Sequence, residues 1–239
     1  MLTLNRPRVL NAIDWDMLRR LDAALAASSE SGEVRCILVE AAGERAFSAG
    51  ADLKAVGALT AETVPEWIRL GHSICNRLVT HRAPVVAAIR GYALGGGFEL
   101  ALACDVRVVA ASARCGLPEV SRGWLPGWGG ARRLAALAGP SVAKSVVLLG
   151  DRLDAARAVG CGLAHLLVPD GELTTAARDL AGRLAQLQPV AVAEAKAQLL
   201  TPGLVATPDV VAEDTRLLID ALAALRASPG GAGERPAPA

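Results

Sequence analysis

The sequence predicts an α/β fold with parallel strand pairing, in which a strand-and-helix core is followed by a mostly helical region. Two observations carry this reading. Short runs rich in valine and isoleucine alternate with stretches of helical apolar spacing. Runs that are apolar at every position suit strands covered on both faces, the habit of parallel sheets. The second observation is a change of texture: from Gly129 onward strands nearly stop and helical patterns follow one another.

In chain order, Leu2-Thr3-Leu4 reads as the last part of a strand, followed at once by Asn5-Arg6-Pro7. A strand that starts at residue 2 suggests a missing N-terminal piece or a start site placed too late. Asp14–Ala27 has helical spacing, and Cys36–Val39 is a buried strand. Glu66–Arg82 is helical. Val85–Ile89 is a strand entered through Pro84, Phe98–Ala103 a helix, and Val106–Ala110 a third strand. Leu166–Val168 is a fourth. Helical patterns cover Gly129–Ala138, Val142–Leu149, Ala155–Gly160, Leu173–Leu187, Val190–Leu200 and Asp209–Arg226. The expected division is an α/β core over 1–185, a helical region over 186–227 and a disordered Pro/Gly-rich tail over 228–239. No internal repeat is visible.

Composition excludes several classes of function. With 239 residues and 52% hydrophobic content the chain can build one sizeable core. Lys+Arg 25 balance Asp+Glu 24, so neither nucleic acid nor an anionic membrane is expected as a partner. Aromatics at 3% offer no base-stacking surface. No apolar run is long enough to span a bilayer, and MLTLNRPRVL lacks the charged-then-apolar order of a signal peptide. Cys36, Cys75, Cys104, Cys115 and Cys161 are odd in number and form no CxxC pair, as expected of reduced cysteines in a cytoplasmic protein. His72, His81 and His165 show no ligand spacing, so no metal is expected.

The stretch GYALGGGFELALACD, residues 91–105, holds the first candidate chemistry. Gly95-Gly96-Gly97 stands between a strand and a helix. Glycine lets backbone amides approach a ligand, and amides at a helix N-terminus lack partners and point at negative charge. That is what an oxyanion hole requires. A tight turn with close helix packing is the alternative. A second glycine turn, FSAGADLK at residues 47–54, follows the Cys36–Val39 strand and also offers an amide; alternatively it is a simple strand-to-helix turn capped by Asp52. Glu99 falls in the first turn of its helix, where the helix N-terminus favours the charged form. Glu119 lies in the apolar loop GLPEV after a strand. Two carboxylates in apolar surroundings can be driven apart in pKa to serve as acid and base; otherwise both make ordinary salt bridges or caps.

FSAGADLK, APVVAAIRGYALGGGFELALACDVRVVA and GLPEVSRGWLPGWGGARRL, in this order and spacing, resemble the crotonase superfamily, and more narrowly its enoyl-CoA hydratases. NRPRVLNAI resembles the family's opening motif, and the resemblance covers about residues 2–200. It implies a spiral of repeated ββα units with a C-terminal helical trimerisation region, assembled as a trimer or a dimer of trimers, and the absence of an N-terminal strand common in the family. It implies that the amides of Ala51 and Gly96 form the oxyanion hole for a thioester carbonyl. It implies that Glu99 and Glu119 are the two catalytic glutamates, Glu99 activating water and Glu119 protonating C2. The substrate is then an acyl-CoA thioester of fatty-acid metabolism, and no separate cofactor is expected. Arg8 and Lys54 correspond to basic positions near the CoA phosphates. Ala49, Asp52, Leu53 and Gly95 belong to the same substrate-binding turns, with Asp52 expected to be structural, and Arg133 matches an arginine that caps or pairs structurally.

The chain departs from the family pattern in three places. Trp124 and Trp128 flank Pro126-Gly127 where relatives carry smaller residues or Phe. They either reshape the acyl pocket or pack in the core. Residues 55–66, where the family sets acyl specificity, contain Ala55, Val56 and Leu59 and no polar residue with an obvious task. The C-terminal helix gives way early to the Pro/Gly tail, which puts the cover over the acyl site in question. The competing readings are a crotonase-family isomerase or dehydratase of an unusual acyl-CoA, and a non-catalytic acyl-CoA-binding subunit.

Overall fold

A computed structural model describes residues 1–200 and 203–227; the expected tail over 228–239 lies outside the described residues. The chain runs β1 (Leu2–Leu4), α1 (Trp15–Ser31), β2 (Ile37–Ala41), β3 (Ala46–Ser48), α2 (Leu53–Gly57) and α3 (Val64–Thr80). It continues through β4 (Val85–Ile89), β5 (Tyr92–Leu94), α4 (Gly96–Ala103), β6 (Val106–Ala110), β7 (Arg114–Gly116) and α5 (Gly130–Leu148). Then come β8 (Leu153–Asp154), α6 (Ala155–Gly160), β9 (Leu166–Val168), α7 (Leu173–Ala185), α8 (Pro189–Gln198) and α9 (Pro208–Ala227).

The strands form two sheets. The five-stranded sheet has the order β1-β2-β4-β6-β9 and is parallel throughout. The four-stranded sheet has the order β3-β5-β7-β8, parallel except for the β7–β8 pair. Successive strand pairs β2–β3, β4–β5 and β6–β7 each place one strand in the large sheet and the next in the small one, then return through helix. This is the ββα spiral that the resemblance implies. All four strands read from apolar runs are present. The small sheet was largely unforeseen: of its strands only the one before Glu119 had been expected. Gly129–Ala138 and Val142–Leu149 merge into one helix, α5, kinked where Gly139 takes φ 82° ahead of Pro140.

The helices form where local chemistry directs. Asp14 accepts from the Met17 amide at 2.9 Å to cap α1, and Gly32 ends it in the left-handed conformation. The buried face of α1 is Met17, Leu18, Leu21 and Leu25. A fully buried leucine is worth about 1.5–3 kcal/mol, so this stripe outweighs the intrinsic propensity of the segment. α3 buries Trp67, Ile68, Ile74, Cys75 and Leu78 against the same core. α8 buries no residue; Lys196 tethers it, with Nζ 2.7 Å from Asp105.

Candidate active site

Two turns at the C-terminal ends of β3 and β5 meet. Gly50, at φ 93°, lies so close to the second turn that a β-carbon there would come within 2.7 Å of the Leu94 carbonyl oxygen and 3.3 Å of the Gly96 nitrogen. Only glycine permits this approach. The first turn is pinned from the NRPRVLNAI segment. Asn11, itself at φ 54° and buried, donates through Nδ2 to the carbonyls of Ala42 and Ala46. Ser48 Oγ donates to the Asn11 carbonyl and accepts from the Gly50 amide.

This pinning frees one amide. Ile13 N donates to the Gly50 carbonyl, and Asp52 N donates to the Ile13 carbonyl. Ile13 and Ala51 therefore form a parallel bridge in which the Ala51 N–H points away from Ile13. A second amide comes from helix geometry. Gly95 is the N-cap of α4 and Gly96 its first residue, so the Gly96 N–H has no intrahelical acceptor. The helix thus begins at Gly96, two residues earlier than the sequence suggests. Ala51 and Gly96 line one cavity of about 660 Å³.

Both glutamates line that cavity too. Glu99 is buried in the first turn of α4. Its Oε1 accepts from the Trp128 amide at 2.8 Å and the Gly130 amide at 2.7 Å. These donors stand at the start of α5, where Gly129 is the N-cap at φ 85°. The helix N-terminus was expected to favour the charged form of Glu99, and burial outweighs it: the pKa is pushed up from 4.5 to about 7, against the pull of those amides and of Arg133, with Asp214 adding to the rise. Glu119 lies in a 3₁₀ turn over Pro118–Arg122. Its Oε1 sits against Gly95, where a β-carbon would come within 2.7 Å. Its Oε2 is buried without a hydrogen-bond partner. Burial and then the nearby Glu99 raise its pKa to about 8, with Arg122 opposing. Of the two carboxyls Glu99, with two amide donors and Arg133 favouring its charge, gives up its proton more readily than Glu119, whose Oε2 has no partner.

The remaining expected residues fall into three groups. Ala49, Leu53, Gly95, Trp124 and Trp128 line the cavity. Asp52 is engaged elsewhere: it caps α2 by accepting from the Lys54 amide and pairs with Arg6 at 3.0 Å. Arg8 and Lys54 are exposed and adjoin the lining residues Val9 and Leu53. Trp128 packs in the core and forms a wall: its ring fills the space beside Gly71 and Gly96, and it stacks obliquely on Trp67 with centroids 5.5 Å apart. Val56 from the 55–66 stretch and Leu218 of α9 also line the cavity. The C-terminal helix therefore does reach the cavity.

Sequence reasoning missed Arg122, Arg152 and Tyr92 in the lining, the Trp128 and Gly130 amides, and the role of Asn11. The doublet Gly129-Gly130 opening a helix was the available signal for the amides, being the same device as Gly95-Gly96. Among the described residues no group of His, Cys, Asp and Glu has the arrangement of a metal site, and no helix is long and apolar enough to cross a membrane.

A family model described as enoyl-CoA hydratase/isomerase matches residues 1–229. The chain belongs to the enoyl-CoA hydratase/isomerase family. A short-chain-enoyl-CoA hydratase of Clostridium acetobutylicum is 36% identical over 203 residues, 85% of this chain and 77% of that protein. A crotonyl-CoA hydratase of Syntrophomonas wolfei is 36% identical over 196 residues, covering 82% and 75% of the two chains. Among solved structures, an enoyl-CoA hydratase from Bacillus anthracis superposes with a TM-score of 0.80 at 34% identity, over 93% of this chain and 86% of that one. This chain is accordingly an enzyme of the hydratase type within the enoyl-CoA hydratase/isomerase family, with the crotonase fold.

Proposed function

We propose that this enzyme adds water reversibly across the 2,3 double bond of a 2-enoyl-CoA thioester. The observation that carries the reading is the convergence of two unpaired amides, Ala51 and Gly96, with two raised carboxyls, Glu99 and Glu119, on one largely apolar cavity. The thioester carbonyl oxygen sits between the amides, which stabilise enolate charge as it develops and make C3 electrophilic. Glu99, ionised and oriented by the Trp128 and Gly130 amides, takes a proton from the water that attacks C3. Glu119, protonated, delivers a proton to C2, and its unpartnered Oε2 supports that role. Arg8 and Lys54 at the rim take the CoA phosphates. Trp124, Trp128, Leu53 and Val56 enclose the acyl chain and Asp52 holds the turn.

The exposed leucines Leu148 and Leu149 at the end of α5, with Val190 on α8 and Leu199 just after it, support self-association as a homotrimer or a dimer of trimers. Five unpaired thiols support the cytoplasm as the compartment, and the acyl-CoA chemistry supports a place in lipid metabolism.

The test is turnover of crotonyl-CoA, followed by loss of the conjugated thioester's ultraviolet absorbance. Wild type should turn over with a bell-shaped pH dependence of kcat/KM. It rises near pH 7 as Glu99 ionises and falls near pH 8 as Glu119 loses its proton. Glu99→Gln and Glu119→Gln should each lose at least a hundredfold in kcat. An isomerase would keep activity in Glu99→Gln. A wild type that binds CoA thioesters and turns none over would sink the hydratase reading.

A further inference from the structure

Glu99 is held by a turn that is itself held from the far end of the chain. Arg133, fully buried on α5, donates through Nη1 to the carbonyl of Trp128, the residue whose amide binds Glu99. The same guanidinium donates through Nε to the Leu204 carbonyl at 2.8 Å, in the segment that leads into α9, and through Nη2 to Asn76 Oδ1. Asn76 on α3 closes the clasp: its Oδ1 accepts from the Ala206 amide and its Nδ2 donates to the Ala206 carbonyl.

A second fastening runs alongside. Asp214 of α9 is buried, and accepts from His72 Nε2 at 3.0 Å and Arg132 Nη1 at 2.7 Å. His72 lies against the same turn: a β-carbon on Gly129 would come within 3.3 Å of His72 Cε1 and 2.9 Å of Arg133 Nη1. While Nε2 meets Asp214, Nδ1 is buried without a hydrogen-bond partner. Such an orphaned ring nitrogen is costly, which argues that the histidine is kept for where it sits.

We propose that α9 and the segment leading into it belong to the active-site apparatus: through Asp214 and the Leu204 carbonyl they fix the Trp128–Gly130 turn, with Arg133, Asn76 and His72 as positioning residues, and so set the place of Glu99. None of these residues lines the catalytic cavity, so they act only through the turn. The charged and titratable groups that face Glu99 are Glu119 from the 3₁₀ turn, Arg133 from α5, Asp214 from α9 and Cys75 from α3, with His72 behind them on Asp214. The inference deepens the hydratase reading and rests on it for the word apparatus.

The decisive experiment reads Glu99 itself. In full-length protein labelled at glutamate Cδ with ¹³C, the Glu99 resonance is assigned by its loss in Glu99→Gln and titrated against pH. His72→Phe opens the second fastening while leaving the Asp214 charge in place, and should raise the midpoint by about one pH unit, a tenfold change in the equilibrium. Arg133→Lys keeps the charge and loses the three-way fork. The turn loosens, Glu99 loses amide donors, and its midpoint should rise by a similar amount. In turnover, Arg133→Lys should lower kcat at least tenfold with little change in KM. Should Arg133→Lys fail to fold, Asn76→Ala opens the same clasp from a half-buried side chain. Folded variants whose Glu99 midpoint and kcat stay at the wild-type values overturn the proposal, even where their melting temperatures fall. A wild type without turnover sinks the hydratase reading instead, and leaves the titration to decide the coupling.

Discussion

Each of the two glutamates is a carboxyl taken out of water, and the linkage between that burial and pH has a definite sign. Both groups titrate near 4.5 when exposed, and burial raises them to about 7 and about 8. The folded state therefore binds protons more tightly than the unfolded chain. The stabilising contribution of the neutral form is complete below about pH 4.5 and is lost as pH rises through the folded values. Above pH 8 the two ionised carboxyls are a net cost of a few kcal/mol. Glu119→Gln should accordingly melt at a higher temperature than wild type at pH 9 and at a similar one at pH 4.5, as thermal unfolding followed by circular dichroism would read. Glu99 and Glu119 were legible in the sequence because each is a charged letter in an apolar context. Their keepers were not. The amides that hold Glu99 come from 29 and 31 residues further along, and His72 meets Asp214 across 142 positions. No local pattern records a contact at such a distance.

At the scale of elements, the sequence was most informative where a segment was long and apolar. Val85–Ile89 and Val106–Ala110 were readable to the residue because every position is buried or nearly so. The strands of the small sheet are two or three residues long, too short to display any period, and Ala46–Ser48 and Tyr92–Leu94 hide inside turns rich in glycine and alanine. Yet those short strands aim the turns at one another. Gly50→Ala tests this contact: its methyl group meets the Leu94 carbonyl oxygen and the left-handed φ is strained. The Ala51 amide is then displaced from its partner at Gly96. The expected result is a fall in kcat of about a hundredfold or more, with KM for the CoA thioester much less affected, in steady-state kinetics.

Across the whole molecule the ββα unit recurs structurally although no repeat is visible in the letters. What repeats is a pattern of burial and turning, which many sequences satisfy. The repetition stacks the strands so that the ends of β3 and β5, the start of α4 and the turn after β7 all open on one cavity. The segment leading into α5 and the helix α9 close it further, with Trp128 and Leu218 in the wall. The family resemblance fixed this plan in advance. The seating of α9 on α3 and α5 had to be seen in three dimensions, because buried polar pairs fasten it beside the apolar stripe of Leu218 and Leu222.

The three indoles around the cavity have a practical consequence. Trp67, Trp124 and Trp128 all face it, Trp67 lies between Trp128 and Trp15, and the chain has only four tryptophans and one tyrosine. Most of the protein's ultraviolet emission therefore originates at the candidate active-site cavity. Titrating a CoA thioester into Glu99→Gln should change the intensity or shift the colour of that emission, saturating with occupancy. An unlabelled, inactive protein thus becomes its own optical gauge of binding, with occupancy separated from chemistry in a single cuvette.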